Sequence, residues 1–213
     1  LYANTTGSNN TAVGSGALDA SSTSSNNTAV GRSALTDNTT GTENSAVGAY
    51  ALTSNTTASN NTSVGYTALY TNTTGASNTA VGRSSLYTNN ADNNTGIGQR
   101  ALYANTTGAA NTAVGSQALD ANTTAAYNTA VGRSAITAAT TGGYNSAIGS
   151  NALDALTTGT HNCAMGVNAL GASNANNNVA LGSACMYSNT TGGNNVAIGY
   201  AALYTNTTAS ENV

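Results

Sequence analysis

One pentapeptide, Asn-Thr-Ala-Val-Gly, constrains this chain more than anything else in it. It first occurs as Asn10-Thr11-Ala12-Val13-Gly14 and returns with small changes. Its closing glycines are Gly14, Gly31, Gly48, Gly65, Gly82, Gly98, Gly115, Gly132, Gly149, Gly166, Gly182 and Gly199. They lie 17 residues apart, except for gaps of 16 before Gly98 and Gly182. A fixed period of this kind is the signature of stacked repeats, in which each unit packs only on its neighbours. We therefore read residues 1–213 as one continuous repeat array. Because it begins and ends inside a repeat, we read it as a segment of a longer fibre.

Counting from the Asn as position 1, the repeat reads N-T-A-V-G-x-x-A-L-x-x-N-T-T-G-x-x. Position 4 is aliphatic or Met throughout, as in Val13, Val30 and Val47. Position 9 behaves in the same way, as in Leu18, Leu35 and Leu52. These two columns are the expected core. Apolar residues at only two places, five apart, do not make a helical stripe. The expectation is an all-β parallel β-solenoid of about 12 coils with two short strands per coil. The position 5 glycine and the Asn-Thr-Thr-Gly segment supply the turns. Both one-residue deletions fall in that segment, at Asn89-Asn90-Ala91-Asp92 and Ala172-Ser173-Asn174-Ala175, where loops tolerate a change of length.

Position 1 is always Asn, including Asn10, Asn27, Asn44, Asn61, Asn78 and Asn111. Stacked at strand spacing, such amides can form a hydrogen-bonded ladder. Alternation along the strand puts position 2 on the side of position 4, and position 3 on the opposite side. Position 3 is Ala almost everywhere, as in Ala80, Ala113 and Ala130, and position 8 is small too, as in Ala118. If position 4 faces the core, these small columns face away from it, and a second chain packed against them explains their size. Tyr70, Tyr87 and Tyr103 share position 10 and are further candidates for a chain–chain seam or a ligand stripe.

The segments Asn44-Ser45-Ala46-Val47-Gly48 and Asn195-Val196-Ala197-Ile198-Gly199 resemble the head repeats of YadA-like trimeric autotransporter adhesins. The unit from Asn61 to Gly75 also resembles repeats of phage-tail-fibre-like proteins. The resemblance covers essentially the whole chain. It implies a left-handed β-roll, three chains side by side, and an adhesive or stalk-like fibre. The 17-residue repeat is longer than that of the adhesin heads, through its added turn.

Composition bounds the function. Charged residues are 5% of the chain, and the only cations are Arg32, Arg83, Arg100 and Arg133. Phosphate neutralisation needs clustered cations, so nucleic acid is not an expected partner. There is no run of apolar residues long enough to span a membrane. His161 has no second His for a metal pair or relay, and the acids are scattered, so we expect no enzyme and no cofactor. Cys163 and Cys185 read as small buried hydrophobes rather than a disulfide. Asn-Thr-Thr matches the glycosylation sequon at Asn38, Asn55, Asn72, Asn105, Asn122 and Asn189, among others, although turn chemistry alone explains the triplet.

The expected function is a structural or adhesive fibre segment at the cell surface or outside it, or alternatively in a virion fibre. It would associate with copies of itself and could meet a surface receptor or glycan. An ice-binding solenoid is a further alternative, but it needs outward Thr, and the drift of position 2 from Thr to Val179 and Val196 suggests that this column faces in.

Overall fold

The computed structural model describes residues 2–213. It is all-β, a parallel β-solenoid in which each coil contributes one three-residue strand. The chain divides into two compact units, one running up to Thr107 and the other from Gly108 to Val213. The first holds β1 (Thr11–Val13), β2 (Thr28–Val30), β3 (Ser45–Val47), β4 (Thr62–Val64), β5 (Thr79–Val81) and β6 (Thr95–Ile97). The second holds β7 (Thr112–Val114), β8 (Thr129–Val131), β9 (Ser146–Ile148), β10 (Cys163–Met165), β11 (Val179–Leu181) and β12 (Val196–Ile198). Within each unit every strand pairs in parallel with the next, like position against like: Thr11 opposite Thr28, Ala12 opposite Ala29.

The expected second strand does not form. Position 9 sits at a corner with left-handed backbone, φ 49 at Leu18, 54 at Leu35 and 52 at Leu52. Position 7 (Ser33, Tyr50, Thr67) and position 17 (Asn26, Glu43, Asn60) are left-handed too. A left-handed conformation costs an L-residue about 1–2 kcal/mol. Each corner is held by a backbone hydrogen bond to an adjacent coil. The Tyr50 N–H donates back to Arg32 at 2.8 Å, and the Leu52 N–H donates forward to Ala68 at 2.9 Å. The ladder thus runs on through positions 7 and 9 without strand geometry.

The strand faces are the reverse of the expected ones. Position 3 points inward: Ala80, Ala113 and Ala130 are 0% exposed. Position 8 joins it in the lumen, where Ala118 is also fully buried. Positions 2 and 4 point outward. Val13 is 57% and Val47 40% exposed, and Val30 is half-buried. Of the two expected core columns only position 9 holds, with Leu18, Leu35 and Leu52 at 0% exposure. The reason is the width of the coil. A Cβ built on Gly96, the one position 3 glycine, would lie 3.2 Å from Leu86 Cγ and 2.5 Å from Ser85 Oγ. Positions 3 and 8 nearly touch across the lumen, so the column is small because its own core is crowded, not because another chain is near. Where position 8 gains an atom the lumen adjusts: Ser85 Oγ donates to the Gly96 carbonyl at 2.8 Å, beside the one position 3 residue without a side chain.

Candidate functional site

Four features carry the chemistry of this chain: two buried Asn ladders, an outward strand face, and a run of tyrosines.

The position 1 ladder forms as the sequence predicts. Asn27, Asn44, Asn61, Asn78 and Asn111 are fully buried, and Asn10 is partly so. Within each unit the Asn backbone N–H donates to the Oδ1 of the Asn one coil earlier, as in Asn44 to Asn27 at 2.9 Å and Asn78 to Asn61 at 2.9 Å. Each Nδ2 then crosses the coil to the position 15 carbonyl, as in Asn61 to Gly75 at 2.9 Å.

A second ladder, which sequence reasoning read as surface turn, lies at position 12. Asn38, Asn55, Asn72, Asn105, Asn122 and Asn189 are all 0% exposed. Asn72 Nδ2 donates to the same Gly75 carbonyl at 2.9 Å, and Asn55 Nδ2 reaches Asn38 Oδ1 at 2.8 Å. These amides close the coil and have no space for a glycan, which overturns the sequon reading in the folded chain. The signal was in the sequence: Ala139 and Leu156 replace Asn at this position, and apolar substitution marks a buried column.

Each deletion is repaired by the Asn beside it. In a full-length coil the position 13 carbonyl accepts from the coil before, as Thr56 does from the Thr39 and Thr40 N–H groups at 2.9 and 3.2 Å. In the shortened coils an Asn side chain takes over. Asn174 Oδ1 accepts from the N–H groups of Thr157, Thr158 and Gly159 at 2.9, 2.8 and 3.1 Å. Asn90 Oδ1 accepts from Thr73 N–H at 2.7 Å. Asp92 is likewise structural, with Oδ1 accepting from Ala76 N–H at 2.8 Å.

The outward strand face combines Thr or Ser with β-branched aliphatics. In the first unit Val13, Val47, Val64 and Ile97 are exposed on it. In the second unit Ile148, Met165, Val196 and Ile198 are exposed. Position 2 shares this face, so Thr62 and Ser146 point out, as do Cys163 and Val179, both half-buried. Cys163 is therefore not the core residue expected. Cys185 is buried, its Sγ 3.2 Å from the Ala197 carbonyl, and burial raises its thiol pKa. Both thiols are free.

The position 10 tyrosines stack along the coils. Tyr70 lies on Tyr87 with ring centroids 5.2 Å apart, and Tyr87 on Tyr103 at 5.1 Å. All three are half-buried. The guanidinium of Arg100 lies 4.1 Å from the centre of the Tyr103 ring. Partial burial, with the phenols of Tyr103, Tyr70 and Tyr66 adding to it, raises the pKa of Tyr87. In the second unit Tyr127, Tyr144 and His161 form a separate stack at position 17, with spacings of 4.9 and 5.0 Å.

Among the described residues there is no group of three or more His, Cys, Asp or Glu placed to hold a metal ion. No helix is long and apolar enough to cross a membrane. Neither a family model, a curated protein nor a solved structure matches the chain.

Proposed function

We propose that this chain is a segment of an extracellular structural or adhesive fibre, and that its coils associate with further copies of the chain through the outward strand face. The observation that carries this reading is the outward row of Val, Ile, Leu and Met at position 4, exposed or half-buried on each coil of both units. Contiguous apolar surface of this kind marks an interaction site. Its rows repeat at the strand spacing of about 4.8 Å, so a partner must repeat at the same spacing to meet every row. A second copy of this chain has that spacing and offers the same side chains. The inward turn of Ala80, Ala113, Ala130 and Ala118 removes those residues from the interface and moves it to positions 2 and 4.

The likeness to YadA-like heads and tail-fibre repeats supports a cell-surface or virion fibre, with a trimer as its first candidate assembly. A Thr- and Ser-rich surface with only four cations suits a spacer that stays soluble without attracting nucleic acid. Electron microscopy of the assembled protein tests the reading: it expects chains laid side by side in a fibre or closed oligomer, whereas dispersed single chains at all concentrations would reject it.

A second reading is favoured by one observation. Thr on the strand face points outward, as in Thr62. Ordered Thr rows are the requirement for an ice-binding solenoid, and the sequence alone placed them inside. Thermal hysteresis at micromolar protein separates the readings. Clear activity supports ice binding, and its absence leaves the fibre.

A further inference from the structure

Four of the chain's 11 tyrosines gather in three successive coils of the first unit, and they do more than stack. Tyr50, Tyr66, Thr67, Tyr70 and Tyr87 line a surface notch of about 300 Å³. Tyr70 and Tyr87 lie face on face, 17° apart, with Tyr103 on the far face of Tyr87, so the most open ring of the notch is the half-exposed Tyr66. Tyr50 stands edge-on to Tyr70, at 75° and 6.4 Å. Tyr66 stands at 86° to Tyr50, 6.1 Å away, and is half exposed. The rings therefore meet at a corner, which a continuous stack does not have.

The repeat shows why the notch occurs here. It needs Tyr at position 10 on consecutive coils, Tyr at position 6, and Tyr at position 7 one coil earlier. The second unit meets part of this requirement, with Tyr187 stacked on Tyr204 at 5.6 Å and Tyr200 at position 6. Its position 7 residue is Ala184, so the corner wall is missing. Gly16 at position 7 and Gly171 at position 10 carry no side chain, whereas the tyrosines around Tyr66 supply the walls of the notch.

From this geometry we propose that the notch binds a single neutral pyranose ring, as a terminal or internal sugar of a glycan or polysaccharide. Its volume is at the lower end of the about 300–1,000 Å³ range of small-ligand sites, so it takes one ring rather than a peptide. Aromatic faces carry negative quadrupole density and attract the weakly polarised C–H groups on the apolar face of a sugar. Tyrosine hydroxyls both donate to and accept from sugar hydroxyls. The lining holds no carboxylate and no cation. The guanidinium of Arg32 lies 5.2 Å from the centre of the Tyr50 ring, and Arg83 follows Tyr66 in the position 6 column one coil on. The uncharged lining suits a neutral ligand.

Saturation-transfer NMR with methyl glucoside, methyl galactoside and methyl mannoside tests the site. At least one glycoside is expected to saturate in the millimolar range, with transfer concentrated on the C–H protons of one sugar face. Tyr66→Ala and Tyr50→Ala should each weaken it at least about tenfold, a loss of about 1.4 kcal/mol. Tyr66→Phe should keep the face contact and lose less, and Tyr204→Ala should change nothing. Sedimentation of the same samples reads assembly separately, so a failure of sugar binding and a failure of self-association are distinguishable. No saturation by any of the three glycosides, or equal binding by wild type and Tyr66→Ala, would overturn the proposal.

Discussion

The position 5 glycines give a test of coil packing with a control one coil away. Gly182 and Gly199 both have positive φ, 141 and 125, where an L side chain is strained. Alanine at either site should cost about 1–3 kcal/mol for that reason alone. Within residues 1–213 a further coil stacks on Gly182 and none on Gly199. Its added methyl would overlap the Gly199 carbonyl oxygen and lie 2.6 Å from the carbonyl carbon, while at Gly199 nothing lies within 4 Å. Relieving the overlap must part the two coils. That lengthens the bonds from Gly199 N–H to Leu181 at 2.7 Å and from Ala201 N–H to Ser183 at 3.0 Å. Weakening two bonds worth about 0.5–1.5 kcal/mol each adds about 1–3 kcal/mol for Gly182→Ala over Gly199→Ala. Repeat arrays do not always unfold in one step, so the assay should be local. Hydrogen exchange at the Ala201 amide should show protection falling about tenfold or more further in Gly182→Ala. Equal losses in the two variants would refute the clash and leave backbone strain as the whole effect.

Other consequences follow from the same packing. Ala113→Leu forces three extra carbons into a closed lumen and should destabilise the fold by at least about 1–3 kcal/mol, seen as a lower denaturation midpoint by circular dichroism; an unchanged midpoint would put position 3 outside after all. Asn61→Ala leaves the buried Asn78 N–H without its 2.9 Å acceptor and should cost about 1–3 kcal/mol in the same assay. Asn174→Ala strips the acceptor from three N–H groups and should open the Thr157–Gly159 turn to hydrogen exchange, while Asn174→Asp, which puts a carboxylate oxygen in place of the amide oxygen, should retain protection. Because Tyr87 holds its proton more tightly folded than unfolded, the unfolded chain ionises first, and its contribution to stability falls as pH rises from about 10. Tyr87→Phe should flatten that slope in alkaline melts.

The fold was legible because its period is rigid. Twelve glycines in register specify stacked coils, and invariant Asn at position 1 specifies the ladder that ties them. The direction of the strand faces was not legible from hydrophobicity. Val is more apolar than Ala, and in an ordinary sheet Val47 would face the core over Ala46. The position 9 side chain fills the lumen beside the strand, so Ala46 goes in and Val47 goes out. The better guide was tolerance of size: position 3 admits only Ala, Ser and Gly, while position 4 admits Val, Ile, Leu and Met. Position 12 was misread for a related reason. Asn-Thr-Thr-Gly has the composition of an exposed turn, yet Asn55 turns its amide inward to serve a carbonyl that water cannot reach. The tyrosine notch was half visible. Tyr70 and Tyr87 lie on one column, but the corner formed by Tyr50 and Tyr66 depends on left-handed backbone at position 7 that no local signal announces.

The reading of this chain as a self-associating fibre segment rests on the outward strand face, and sedimentation of a face variant tests it most directly. Val47→Ser, Val64→Ser and Val81→Ser combined replace three apolar residues on adjacent coils that the solenoid's own core does not use. The account predicts that the wild type sediments as an oligomer or filament and that the variant sediments at the single-chain mass of 20.8 kDa with its circular dichroism unchanged. A wild type that stays at single-chain mass across concentrations, or a variant that assembles as the wild type does, would contradict it.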